Sequence, residues 1–192
     1  MILFEPSDGR VDWRHNFAFF KKPYDDMEIE YYVHGGFLKC WKQVKDLVRA
    51  KLKEKKWKYV VIVGYSHGAA LTLLAHECAW FELPDMRDGR IITVAFEAPR
   101  IYGGWRVKEE LKERWAGAYV IKNNGDIVTH MPPRLFGFSD VGKVVQIKNT
   151  PKKGCVDSHT PKWVQKALLE KEIDELESVL KATDLWKDNA CA

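Results

Sequence analysis

Six short runs along the chain are apolar or alternate with period two: MILF (1–4), EIEYYV (28–33), YVVIV (59–63), IITVAF (91–96), AYVIK (118–122) and KVVQI (143–147). Each is rich in β-branched or aromatic residues and bounded by Gly, Pro, Asn or Asp, which predicts six strands. Between them the apolar period becomes that of a helix. Phe37, Trp41, Val44 and Val48 recur at steps of four, three and four, which lays one apolar stripe along a helix from about 36 to 55. Residues 67–80 form an apolar helix directly after the third strand. A last helix is expected over 161–182, with Thr160 as N-cap, Pro161 at its first position and Leu169, Ile173, Leu176 and Leu180 along its buried face. Strands alternating with helices, several of them continuously apolar, predict an α/β fold with a mostly parallel central sheet and helices on both faces. With no internal repeat, linker or low-complexity stretch, residues 1–192 read as a single domain.

The junction VVIVGYSHGAAL (60–71) joins an apolar strand to an apolar helix through Gly64, Ser66 and Gly68. Chance often supplies that spacing, so its setting carries the signal. A serine hydroxyl becomes a useful nucleophile when a base takes its proton and donors receive the charge developing on the attacked carbonyl oxygen. The G-x-S-x-G elbow serves both needs, because the serine sits on a sharp strand-to-helix turn and the flanking glycines let strand and helix pack closely. The bland alternative is a turn serine without chemistry.

In an α/β-hydrolase-like sheet an acid and a histidine follow the nucleophile in that order. His76 lies on the helix of Ser66 itself, and His130 is followed by prolines and lies close in sequence to the expected acid. His159, after the last strand and just before the last helix, is placed to return over Ser66. Asp126, in the turn-rich loop NNGDIVTHMPP (123–133), follows an apolar strand and can orient a histidine and stabilise its imidazolium. Asp140 and Asp157 remain rivals for the acid, an Asx-turn is the alternative role for Asp126, and helix entry is the alternative role for His159.

Composition changes this picture little. The chain carries 31 Lys and Arg against 27 Asp and Glu, a net charge of +4, with cations and acids interleaved as in KLKEKKWK. Such mixing reads first as a solvated helix face, with nucleic-acid or anionic-membrane binding the minority alternative. Cys40, Cys78, Cys155 and Cys191 lack the CxxC spacing of a zinc site and are expected to be reduced, structural thiols. No metal site or cofactor motif is expected. MILFEPSDGR lacks the long apolar core of a signal peptide, and no run approaches membrane-spanning length, so a cytoplasmic, soluble chain is expected.

Four ordered stretches resemble the class 3 lipases, the fungal-type triacylglycerol lipase family. His34-Gly35-Gly36-Phe37 is similar to the family's HxGF helix entry, and GYSHGAAL to its GHSLGGALA elbow. FEAPR (96–100) is similar to its GxPR turn, and NNGDIVTHMPP to its NxxDxVPxxPP acid segment. The resemblance implies an α/β-hydrolase fold in a compact, minimal version that starts without the N-terminal elements of larger members. It implies Ser66 as nucleophile, Asp126 as acid and His159 as base. It further implies an oxyanion hole from the backbone N–H of His67 and from Ser7, the last residue of Phe4-Glu5-Pro6-Ser7, which departs from the family's FRGT at Glu5 and Pro6. HGGF also matches the HGGG oxyanion loop of another esterase group, but the nucleophile strand follows it too soon, and His34 is assigned a structural role.

Trp13, Phe17 and Phe20 stand four and three residues apart within residues 8–20, where the family carries a lid. A short helix there would show an aromatic stripe beside the site, either as a mobile lid opening at a lipid interface or as a fixed helix packed on the core. The expected activity is serine hydrolysis of carboxylic esters, with acylglycerols or related lipid esters as substrates and transient contact with a lipid interface. Other acyl hydrolases (phospholipase, thioesterase, peptidase) and a non-catalytic binding protein of this fold are the alternatives.

Overall fold

The computed structural model describes residues 1–5, 20–24, 31–54, 56–104, 109–147, 158–170, 177–178 and 181. In chain order the elements are β1 (Ile2–Phe4), β2 (Lys21–Tyr24), β3 (Tyr31–His34), α1 (Gly35–Lys53), β4 (Val60–Tyr65), α2 (His67–Glu82) and β5 (Ile91–Phe96). They continue with β6 (Tyr102–Gly103), α3 (Glu109–Arg114), β7 (Ala118–Asn123), β8 (Phe138–Ser139), β9 (Lys143–Ile147) and α4 (Pro161–Leu169).

Strands β1, β4, β5, β7 and β9 pair in the spatial order β1-β4-β5-β7-β9, every pair parallel. Alternate side chains of β5 divide the core between the two faces, as the strand period of two requires. Ile91 and Ala95 join the larger cluster with Leu73, Leu74 and Trp41 of α1 and α2. Val94 joins the smaller cluster with Tyr119, Ile121, Ile147 and the α4 residues Val164 and Ala167. Helices therefore cover both faces, as the sequence predicts, and this is an α/β-hydrolase-like sheet.

The stripe read along the first long helix is buried in the structure. Phe37, Trp41 and Val48 are buried and Val44 packs against the same cluster, each large side chain contributing about 1.5–3 kcal/mol. Trp41 Nε1 also donates to the Tyr24 hydroxyl (2.8 Å), so its one polar atom is satisfied. Helix α2 is buried from Gly68 through Ala79 because α1 and the sheet enclose it. Among the described residues no helix is long and apolar enough to cross a membrane.

Three expectations change. The strand expected over 28–33 is Tyr31–His34 among the described residues, and it joins a second, antiparallel sheet of order β2-β3-β6-β8. Its buried Tyr31 and Val33 flank an exposed Tyr32, the pattern of a half-solvated antiparallel strand. The buried face of the last helix is Val164 and Ala167, and Leu169 is 78% exposed. Two residues at 100° each carry Leu169 to the side opposite Ala167, and the remaining face residues Ile173, Leu176 and Leu180 lie outside the described residues. Finally α3 has no counterpart in the hydrophobic pattern. Thr160 and Pro161 do begin α4, although the Thr160 side chain makes no capping bond.

Candidate active site

The elbow is built from the sequence outward. Ser66 has φ 55° and ψ −117°, a left-handed conformation that costs an L-residue on the order of 1–2 kcal/mol. The turn is held by Ser66 N–H donating to Phe96 O (2.9 Å) and by Ala70 N–H donating to Ser66 O (3.2 Å). A serine before a helix ordinarily turns its oxygen onto the first-turn amides; this one makes no such bond, which leaves Oγ directed elsewhere. The glycines are required by contact. A Cβ on Gly64 would stand 2.6 Å from Gly68 O, and one on Gly68 would stand 2.4 Å from Phe4 O and 2.6 Å from Glu5 O. Strand β1 and the residue after it thus press against the elbow.

Ser66 Oγ meets His159 Nε2 at 2.7 Å, and His159 Nδ1 meets Asp126 Oδ2 at 2.5 Å. A carboxylate can only accept, so Nδ1 carries the proton and Nε2 accepts from the serine. Residues 66, 126 and 159, distant in sequence, thus form one hydrogen-bonded chain. Asp126 is wholly buried at the end of β7, and its Oδ1 accepts from Val128 N–H (2.9 Å). The Asx-turn alternative is therefore correct as local geometry and compatible with the histidine contact, which uses the other oxygen. Asn123 ties the two loops together: its Oδ1 accepts from Gly125 N–H (2.8 Å) and its Nδ2 donates to Ser158 O (3.0 Å), next to His159. Below His159, Val164 and Ala167 anchor α4 on β7, and the Tyr65 ring lies 5.4 Å away.

The other histidines are occupied elsewhere. His76 is buried with Nε2 donating to Arg114 O (2.6 Å) and Nδ1 accepting from Thr93 Oγ1 (2.8 Å). Burial brings its pKa down to about 4, so it is a neutral core histidine. His130 is exposed, with its Nε2 3.4 Å from Asn124 O of the acid loop. His34 caps α1, its Nδ1 accepting from Gly36 N–H (3.2 Å), with its ring 4.8 Å from Phe37, so its role is structural as expected. The rival acid Asp140 belongs to another cluster, bonded to Lys122, Arg100 (3.2 Å) and Arg134 (2.9 Å). Burial alone would raise its pKa, but Lys122 and the two arginines outweigh it and bring it to about 2. Asp157 lies outside the described residues, as do Ser7, Trp13, Phe17, Cys155 and Cys191. Cys40 and Cys78 are free thiols.

His67 follows Ser66 directly and opens α2, where first-turn N–H groups have no acceptor within the helix itself. Of the expected lid stripe, only Phe20 is described. It is half-exposed, and its carbonyl accepts from Gly35 N–H (3.0 Å). Its ring covers Gly35 so closely that a Cβ there would fall 2.0 Å from it.

The sequence did not single out Glu97. It is fully buried at the end of β5 with φ 55°, and its Oε2 accepts from Asn123 N–H (3.2 Å). The only sign in the sequence is that Glu97 stands where the GxPR pattern has glycine. One donor atom each from Glu97, Asp126 and His159 lie within 4.8 Å of one another, a set that could in principle surround a cation. Both nitrogens of His159 are already engaged, however, which fits a hydrogen-bonded chain better than a metal centre. Burial and the neighbouring Asp126 push the Glu97 pKa up to about 9. Burial, with Glu97 and Asp126 beside it, likewise raises that of Tyr65.

Solved structures similar to this chain include fungal lipases. The Rhizomucor miehei lipase propeptide complex matches with a TM-score of 0.61 and 21% identity over 81% of this chain and 55% of its own. A lipase from Rhizopus microsporus var. chinensis matches at 0.61 and 22% over 82% and 59%. The mono- and diacylglycerol lipase from Aspergillus oryzae matches at 0.58 and 22% over 82% and 58%. The chain thus spans less than two thirds of the length of these relatives. The family model described as Lipase (class 3) matches residues 1–136, from β1 through the elbow and the acid loop, and the chain belongs to the class 3 lipase family.

Proposed function

We propose that the chain hydrolyses carboxylic esters with Ser66 as nucleophile, on acylglycerols or related lipid esters. The observation that supports this most is the continuous hydrogen-bonded chain from Asp126 through His159 to Ser66 Oγ, at 2.5 and 2.7 Å. In this reading His159 Nε2 removes the Ser66 proton as Oγ attacks the ester carbonyl, and the imidazolium then protonates the departing alcohol. Asp126 orients the ring and balances its charge. The amides of His67 and Ser7 receive the oxyanion, and water deacylates the enzyme by the same route. The described residues from β1 to α4 act as one domain around this site. The substrate class in this reading is drawn from similar solved structures, one described as a triacylglycerol lipase with a serine protease triad and another as a mono- and diacylglycerol lipase.

A fluorophosphonate probe tests the reading. The wild-type chain should label and turn over p-nitrophenyl esters, while Ser66→Ala should do neither; an unlabelled wild type overturns it. Comparing acylglycerols with phospholipids and thioesters of matched acyl length then separates lipase from other acyl hydrolases.

A further inference from the structure

Glu97 is a carboxyl group in an unfavourable position twice over. Its φ of 55° is the left-handed region that favours glycine, as in the family pattern quoted above, and a side chain there is strained. Its carboxyl is wholly buried beside the equally buried Asp126, with their donor atoms within 4.8 Å. Two buried carboxylates at that separation cannot both ionise cheaply, so the pair holds one proton. The hydrogen bonds decide which side holds it. Asp126 accepts from Val128 N–H and from His159 Nδ1–H, both of which stabilise an anion, whereas among the described residues Glu97 accepts from Asn123 N–H alone.

We propose that Glu97 is a positioning residue of the triad: a neutral carboxylic acid whose O–H donates to the Asp126 carboxylate and holds it aligned on His159. The inference rests on the ester-hydrolase reading above. Neutral Glu97 adds a donor to Asp126 without adding a second negative charge, and it passes its own carbonyl oxygen to the Asn123 amide. The strand β7 residue that sets the acid loop is thereby coupled to the turn after β5. The titratable groups around Glu97 are Asp126 and His159 on the site loops, Tyr65 beside the elbow, and Lys122 on β7. Raising the pH ionises Glu97 and sets a second anion against Asp126, so activity falls on the alkaline side.

The experiment compares kcat, KM and pH profiles of the wild type, Glu97→Gln and Glu97→Gly. Gln keeps both the donor and the acceptor. It should hold kcat within about threefold at neutral pH and abolish the alkaline fall, because its amide does not ionise. Gly relieves the backbone but removes the donor, and should lower kcat about tenfold with KM unchanged and no loss of thermal stability. Difference infrared spectroscopy should show a neutral carboxylic-acid carbonyl band at pH 7 that Glu97→Gln lacks. A Glu97→Gly enzyme with wild-type kcat, or a Gln variant with the wild-type alkaline limb, overturns the proposal, as does the absence of that band. If the wild type fails to label with fluorophosphonate, the ester-hydrolase reading falls instead, and the infrared band still decides whether Glu97 carries the proton.

Discussion

Two groups of acids meet strand β7 at adjacent residues, Lys122 and Asn123, and behave in opposite ways. Asp140 sits among Lys122, Arg100 and Arg134, and these cations pull its pKa to about 2 against the effect of burial. Glu97 and Asp126 have no lysine or arginine among their hydrogen-bond partners within the described residues; they meet His159 and backbone amides. The difference is prepared by β7, where successive side chains leave on opposite faces. Lys122 turns to Asp140 and Thr129 O, while the Asn123 backbone turns to Glu97. A carboxylate neutralised by fixed cations is a structural fastener. One whose only counter-charge is a titratable histidine is suited to chemistry, because its charge is balanced only when the histidine takes a proton.

The largest test of this contrast removes the site itself. Ser66→Ala should abolish labelling and turnover, and Asp126→Asn should cut kcat about 10⁴-fold by stabilising the wrong imidazole tautomer, with the fold intact by circular dichroism. Asp140→Asn should do the reverse, losing about 3 kcal/mol in urea unfolding because buried Lys122 and Arg100 lose their partner, while the folded enzyme keeps near wild-type kcat. An inactive Asp140→Asn beside an active Asp126→Asn would exchange the two roles. Gly68→Ala comes next. Its Cβ would meet Phe4 O at 2.4 Å and Glu5 O at 2.6 Å, so a loss of about 1–3 kcal/mol and a lower kcat are expected as β1 shifts from the elbow. Activity and stability both at wild-type level would mean that the β1 contact does not shape the site.

The pH dependence of stability has opposite sign in the two groups. Asp140 is depressed from 3.8, so its stabilisation is complete above that pH and is lost as pH falls toward 2. Glu97 is raised from 4.5, so its stabilising contribution is complete below 4.5 and is lost as pH rises through about 9. Glu97→Gln should therefore gain thermal stability over the wild type progressively between those values. A constant offset across that range would show that Glu97 does not carry the proton.

Much of this site is legible in the chain because its parts are local. The elbow follows from a strand, two glycines and a helix in adjacent residues, and the acid loop from a strand running into Asn-Asn-Gly-Asp. His159 follows from chain order. Glu97 escaped notice because its significance lies in a partner 29 residues away and in a backbone angle that composition does not reveal. The antiparallel sheet escaped it because β2 reads Lys-Lys-Pro-Tyr and β6 and β8 have two residues each, too short for any period to register. Leu169 of α4 faces solvent, against expectation, because a helical stripe gives spacing, whereas which of two adjacent stripes is buried depends on where β7 and β9 present Tyr119, Ile121 and Ile147.

By itself, then, the sequence determined the parallel α/β architecture and the strand-to-helix elbow and marked Ser66, Asp126 and His159 as candidates, since period, turn chemistry and chain order are properties of neighbouring residues. Only the tertiary structure decided that Asp140 belongs to a cation cluster, that Ser66, His159 and Asp126 meet at hydrogen-bond distance, and that Glu97 shares their burial. Those are questions of which charges face one another across packed elements, and burial makes each answer matter energetically: a carboxylate without its partner in a dry interior must either find a cation or keep its proton.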